Sequence, residues 1–164
     1  MTDLYRLAPG DDPTRVIERY NAFHDGFVRS IALASRDRFT RVGPRTWDVA
    51  HETTGQFAAV IEFAHYNYGG GIQPLDGVVR ATFRGVRDFA LDLRGFRSYE
   101  WPLKLVAIEP ATRDVEAVRA PPEPCFALTL TWSHIEGTTW SSTPQRLFSF
   151  THATFEDATE AMEG

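Results

Sequence analysis

Five histidines give this chain its widest choice of chemistry: His24, His51, His65, His134 and His152. An imidazole can act as general base, proton shuttle or metal ligand near neutral pH. A zinc site needs three or four donors converging on one point, commonly with two of them closely spaced on a helix or short loop. His51 is followed directly by Glu52, which is not the spacing of a zinc-protease helix. His65, His134 and His152 fall in three separate stretches of β-type sequence, so only a sheet could bring them together. Half-exposed or hydrogen-bonded strand histidines are the commoner outcome of such placement. No metal and no cofactor is expected.

Nucleophilic catalysis has no stronger support. Cys125 is the one cysteine and follows Pro124 at the start of an apolar alternation, the setting of a buried, inert thiol. A lone cysteine builds neither an intrachain disulfide nor a cysteine zinc site. Ser141-Ser142-Thr143 is a polar, loop-like run without a Gly-x-Ser-x-Gly elbow. Gly69-Gly70-Gly71 leads into Ile72-Gln73-Pro74 rather than into Lys-Ser and a helix, so it does not read as a phosphate loop. With no catalytic residue singled out, the chain is expected not to be an enzyme.

Two clusters suit binding better. Arg80, Arg84, Arg87, Arg94 and Arg97 crowd one region and would fit a phosphate or a carboxylate-bearing partner. Asp88 and Asp92 lie among them, and cross-strand ion pairs would account for the cluster without a ligand. Tyr66, Tyr68, Tyr99, Trp101 and Trp140 flank predicted loops or strand ends. Such side chains anchor protein partners or line small-molecule pockets, and they are the candidate interaction residues.

The elements that must position these groups are mostly strands. Asp12-Pro13 opens a helix near 12–22, with Asp at the N-cap and Pro at the first helical position. Val16, Ile17, Tyr20 and Phe23 line its apolar face, and Asp25-Gly26 turns the chain. From there the period is two. Strands are expected at Phe27–Leu33, Phe39–Val42, Phe57–Tyr68 and Val79–Phe83. Gly85 marks a turn or bulge, after which Phe89, Leu91 and Leu93 resume the alternation. Further strands are expected from Trp101 to Ala107, at Val115–Val118, over Phe126–Trp132 and over Leu147–Phe155. A polar loop is expected from Gly137 to Pro144, and a frayed or helical acidic tail closes the chain. Phe126, Leu128, Leu130 and Trp132 alternate with Thr129 and Thr131 and should form core.

No helical stretch separates the strands, so parallel βαβ units are not expected. The reading is mainly β: an antiparallel sandwich or partly closed barrel with one N-terminal helix, in a single domain spanning 1–164. The 164 residues, 43% apolar and 24% charged, suffice for one core. No run approaches the ~18 apolar residues of a membrane helix, and the first residues lack a signal-peptide pattern. A cytoplasmic protein with no membrane partner is expected. A net charge of −5 argues against broad nucleic-acid binding. Sixteen of the seventeen basic residues are arginine, Lys104 being the exception, which fits the codon usage of a GC-rich bacterial genome.

Phe23-His24-Asp25, two residues and an alternating strand resemble the opening of a group of small bacterial proteins that includes the Imm50-type immunity proteins of polymorphic toxin systems. Val79 through Phe89, with its Phe-x-Gly-Val, is similar to a second signature of that group, and Leu147 through Phe155 to its final strand. The resemblance implies a β-rich fold, no catalytic residue, no cofactor and a cognate toxin as partner. His24 and Asp25 join the candidate interaction residues on this ground. Their position between helix and strand equally suits a structural corner, with side chains bonding local backbone. The expected function is a non-enzymatic bacterial protein-binding domain that occludes a cognate toxin. The alternative is a β barrel or sandwich binding a small molecule.

Overall fold

The computed structural model describes residues 4–52, 57–65, 77–91, 103–113 and 122–158. Its strands are β1 (Leu4–Leu7), β2 (Phe27–Ser35), β3 (Arg38–Arg41), β4 (Val49–Glu52), β5 (Phe57–His65), β6 (Gly77–Val86), β7 (Leu103–Arg113), β8 (Glu123–Glu136), β9 (Thr139–Phe150) and β10 (His152–Asp157). A short helix, α1 (Thr14–Arg19), lies between β1 and β2. Among the described residues these strands form three antiparallel sheets, in the orders β1-β10-β6-β5-β2, β3-β4 and β7-β8-β9. The fold is a mainly β, sandwich-like arrangement without closure into a barrel. None of its described helices is long and apolar enough to cross a membrane.

Alternation explains the core. Ile61 and Phe63 of β5, Val79, Ala81 and Phe83 of β6, and Ala153 and Phe155 of β10 all point inward and are wholly or almost wholly buried. Phe126, Leu128, Leu130 and Trp132 of β8 face them from the three-stranded sheet, as their spacing predicts, and belong to the same cluster. Phe83 joins the layers: its ring meets Phe148 at 5.1 Å and Phe150 at 4.9 Å, both edge-on. A second tie is polar. Buried Arg113, the last residue of β7, donates to the Gly85 carbonyl of β6 at 2.6 Å and to the Glu123 carboxylate at 2.8 Å.

Several elements differ from the sequence expectation, each for a visible reason. The helix stops at Arg19, and a 3-10 turn over Asn21–Phe23 follows. Asn21, Ala22 and Phe23 there have φ of 48°, 51° and 53°, which costs about 1–2 kcal/mol per residue for side chains other than Gly, Asn or Asp. Burying the Phe23 ring 4.5 Å from Phe63 and 5.2 Å from Tyr20 offsets this. Asp12 does accept the Thr14 N–H at 2.9 Å, and that bonding holds its carboxyl below the usual range, but Pro13 occupies the cap position.

The bulge expected at Gly85 is present: β6 carries one residue more than β5 between the pairs Phe57–Val86 and Ala59–Phe83, and Gly85 has φ +63°. The strand expected at Phe89–Leu93 is not formed over its described part. Arg87 bridges to Ser149, Asp88 turns with φ 56°, and the chain runs along the edge strand β9, with Ala90 N–H bonded to Leu147 C=O. The polar loop expected at 137–144 is instead half of a hairpin, turned at Gly137 and Thr138 and paired along β8. Its exposed edge position lets Pro144 stand in a strand. The stretch 147–155 is two strands in two sheets. At Thr151 the N–H and hydroxyl both reach the Arg84 carbonyl, and the chain passes from β9 into β10. Strands β1 and β4 had no sequence expectation. Val115–Val118 and the tail from residue 159 lie outside the described residues.

Candidate functional site

The helix-to-strand corner is built from backbone. Asp25 N–H donates to Leu103 C=O at 2.8 Å, Leu103 N–H to Gly26 C=O at 2.7 Å, and Gly26 N–H to Phe23 C=O at 2.9 Å. The side chains of His24 and Asp25 turn to each other, Nδ1 lying 3.0 Å from Oδ2, and both are about half exposed. Asp25 takes φ 61°, a conformation that Asp tolerates better than most residues. The Asp25 carboxylate is placed to accept a hydrogen bond from Nδ1–H.

This pair lines an open cleft of about 570 Å³ with Lys104, Ser133, Trp140, Ser141 and Ser142. The β8–β9 hairpin supplies the opposite wall, since Ser133 pairs with Ser142 and Ile135 with Trp140. Lys104 reaches Ser142 Oγ at 3.5 Å. The fold thus brings three candidate interaction residues, His24, Asp25 and Trp140, onto one surface. Tyr66, Tyr68, Tyr99 and Trp101 lie outside the described residues.

A half-exposed ion pair of this kind contributes about 0–1 kcal/mol, so the corner should survive its loss. His24→Ala, at an ordinary φ of −56°, is expected to change unfolding free energy by no more than about 0.5 kcal/mol. Asp25→Ala should cost about 1–2 kcal/mol because alanine resists the left-handed backbone, and Asp25→Asn should restore most of it. Urea midpoints of the three variants check this ordering.

Three further histidines have separate settings. His51 stacks on Phe39 at 4.3 Å and lies 3.4 Å from Asp37. His65 is buried, edge-on to Tyr20. His152 meets the Thr151 hydroxyl at 3.0 Å. Among the described residues no three His, Cys, Asp or Glu side chains converge as metal ligands would. Burial pushes the Cys125 thiol up, keeping it protonated rather than nucleophilic.

A surface that the sequence reasoning missed is the β3–β4 hairpin. Among the described residues its strands pair with each other and join no larger sheet. Phe39 is 71% exposed, Val42 66% and Trp47 73%. The hairpin is ordered by its own contacts: Arg41 donates to the carbonyls of Gly43 and Pro44, and Asp48 accepts the Arg45 N–H. The Arg45 guanidinium lies 6.0 Å from the Trp47 ring. Two aromatics flanking Gly43-Pro44 were the available signal, but the runs are too short for a period to show which face is buried.

The arginine cluster divides. Arg80 is held by Glu62 at 2.9 Å and Glu156 at 3.5 Å, and its hydrogen bonds keep the Glu62 carboxyl below the usual range. Arg84 makes no such pair among the described residues. Arg94 and Arg97 lie outside them. Searches of family models, curated proteins and solved structures find no match to this chain.

Proposed function

We propose that this chain is a non-enzymatic protein-binding β sandwich that covers its partner through the β3–β4 hairpin, as an immunity protein occludes its toxin. The observation that carries the reading is the hairpin's exposure: Phe39, Val42 and Trp47 are each about two-thirds or more open to solvent. Holding large apolar side chains in water gains the isolated chain nothing, whereas aromatic side chains with few rotatable bonds are the usual anchors of an interface. Arg36, Arg38, Arg41 and Arg45 lie in the same stretch of chain as these anchors, and the acids of that stretch are Asp37, Asp48 and Glu52. That composition fits a partner surface with an apolar pocket rimmed by carboxylates.

The test is to search the genes beside this chain's own for a toxin-like protein, co-purify the two and follow with titration calorimetry. Joint replacement of Phe39 and Trp47 by serine should weaken the complex by about 100-fold or more, as loss of two interface anchors does, with unchanged circular dichroism. A neighbourhood without any toxin-like gene, a pair that forms no complex, or a double variant that binds like the parent would each overturn the reading.

A further inference from the structure

On the outer face of the five-stranded sheet lies a cleft of about 850 Å³, lined by Arg6, Arg36, Arg84, His152, Thr82 and Thr154 among others. Register explains the convergence. Arg6 of β1 stands beside Thr154 of β10, which stands beside Thr82 of β6, and in the next row His152 stands beside Arg84. Arg6 and Arg84 are therefore two strands and one row apart, about 12 Å between Cα atoms at ordinary sheet spacings. Their long side chains line the same opening from its two sides. Arg36 joins from the link between β2 and β3.

Partnering separates these cations from their neighbour. Arg80, one row from Thr82 on the same face, is matched by Glu62 and Glu156. Arg6, Arg36 and Arg84 have no carboxylate partner among the described residues. Glu156 also lines the cleft, but its carboxylate is turned to Arg80. Residues Phe57 to Ala59 of β5, across from the Gly85 bulge, bring no acid. Three guanidiniums without a paired carboxylate among the described residues keep their N–H donors open to an anion.

We infer that this cleft binds a small molecule through a phosphate monoester group. Guanidinium forks suit the phosphate oxygens in paired hydrogen bonds, and the threonine hydroxyls can donate to those that remain. The volume falls within the range of small-molecule sites and leaves room for an organic body beside the phosphate. The anchors Phe39 and Trp47 do not line this cleft and Arg36 is shared with the hairpin, so Arg6 and Arg84 are the residues that test it separately from the hairpin's role.

Titration of the purified chain with inorganic phosphate at constant ionic strength provides the test. Saturable one-site binding with a Kd of about 1 mM or tighter is expected. Arg84→Gln and Arg6→Gln, both at exposed positions, should each weaken it by about tenfold or more (~1.4 kcal/mol). Arg29→Gln removes an exposed charge from β2 outside the cleft and should change it by less than about twofold. Absence of saturation at about ten times that concentration, or an Arg29→Gln loss equal to that of Arg84→Gln, would show only diffuse charge attraction and overturn the inference.

Discussion

Phe83→Ala is expected to lower the unfolding free energy by about 3–5 kcal/mol. Phe83 lies in β6, near the middle of the five-stranded sheet, and is completely buried. Its ring is edge-on to Phe148 and Phe150 of β9 and to Phe155 of β10, the last at 5.9 Å. Truncation removes both the transfer free energy of the ring and the edge-to-face contacts that bind one sheet to the other. Strands β6 and β10 have a hydrogen-bonded neighbour on each side, which limits collapse into the void. A domain of this size has about 5–15 kcal/mol of stability in total, so the alanine variant should approach unfolding at physiological temperature. Phe83→Leu keeps most of the volume and should lose clearly less. Urea unfolding of both, with unchanged slopes, measures the difference. A midpoint that hardly moves in the alanine variant would mean that Phe83 is not the joint between the layers.

Gly26→Ala should be the most damaging change of a single methyl group. A Cβ built there would lie 2.6 Å from the Ala64 carbonyl oxygen and 2.9 Å from that of Phe23. Both are backbone atoms, so no side-chain rotation relieves the contact. The strand β2 would have to part from β5 where Phe27 pairs with Ala64, and the bonds that tie the corner to Leu103 would stretch. Overpacking of this kind costs about 1–3 kcal/mol, and two unyielding neighbours place it at the upper end. Faster hydrogen exchange at the Leu103 N–H, alongside a lowered urea midpoint, would locate the damage. Gly10→Ala is the control, because its φ of +93° brings strain with no atom within 4 Å of the added methyl. Gly26 itself has no positive φ, so if the two variants unfold alike, close approach at Gly26 costs no more than backbone strain does at Gly10 and the steric argument fails.

Sequence carried the local half of this fold. The alternation over Phe126–Trp132 and Val79–Phe83 is a property of the residues themselves, because successive side chains of an extended backbone point to opposite faces. It therefore identified the strands and the inward face, and Gly85 identified the bulge. Where a strand changes partners is not local. The inward phase slips by one position between Phe150 and Ala153, which marks a break at Thr151-His152, but only the bonding of Thr151 to Arg84 shows that the two halves belong to two sheets. The edge segment Thr139–Arg146 is polar on both faces and carries no hydrophobic period, so only its pairing with β8 makes it a strand.

The candidate sites divide in the same way. That Arg80, Thr82 and Arg84 share a face follows from their spacing. That Arg80 is neutralised and Arg84 is not depends on register, which sets Glu62 and Glu156 beside the first and leaves none beside the second. Arg6 and Arg36 line one cleft with Arg84 only because β1, at one edge of the five-stranded sheet, and the chain leaving β2, at the other, bring them there. The meeting of His24 and Asp25 with Trp140, more than a hundred residues later, has the same origin. Phe39 and Trp47 make the clearest case. Residue type says that both favour burial, and the local pattern gives only a short strand from Phe39 that breaks at Gly43-Pro44. Their exposure reflects where the rest of the chain stops, since burial needs a second surface within van der Waals reach and only the tertiary arrangement of the other strands could have provided it.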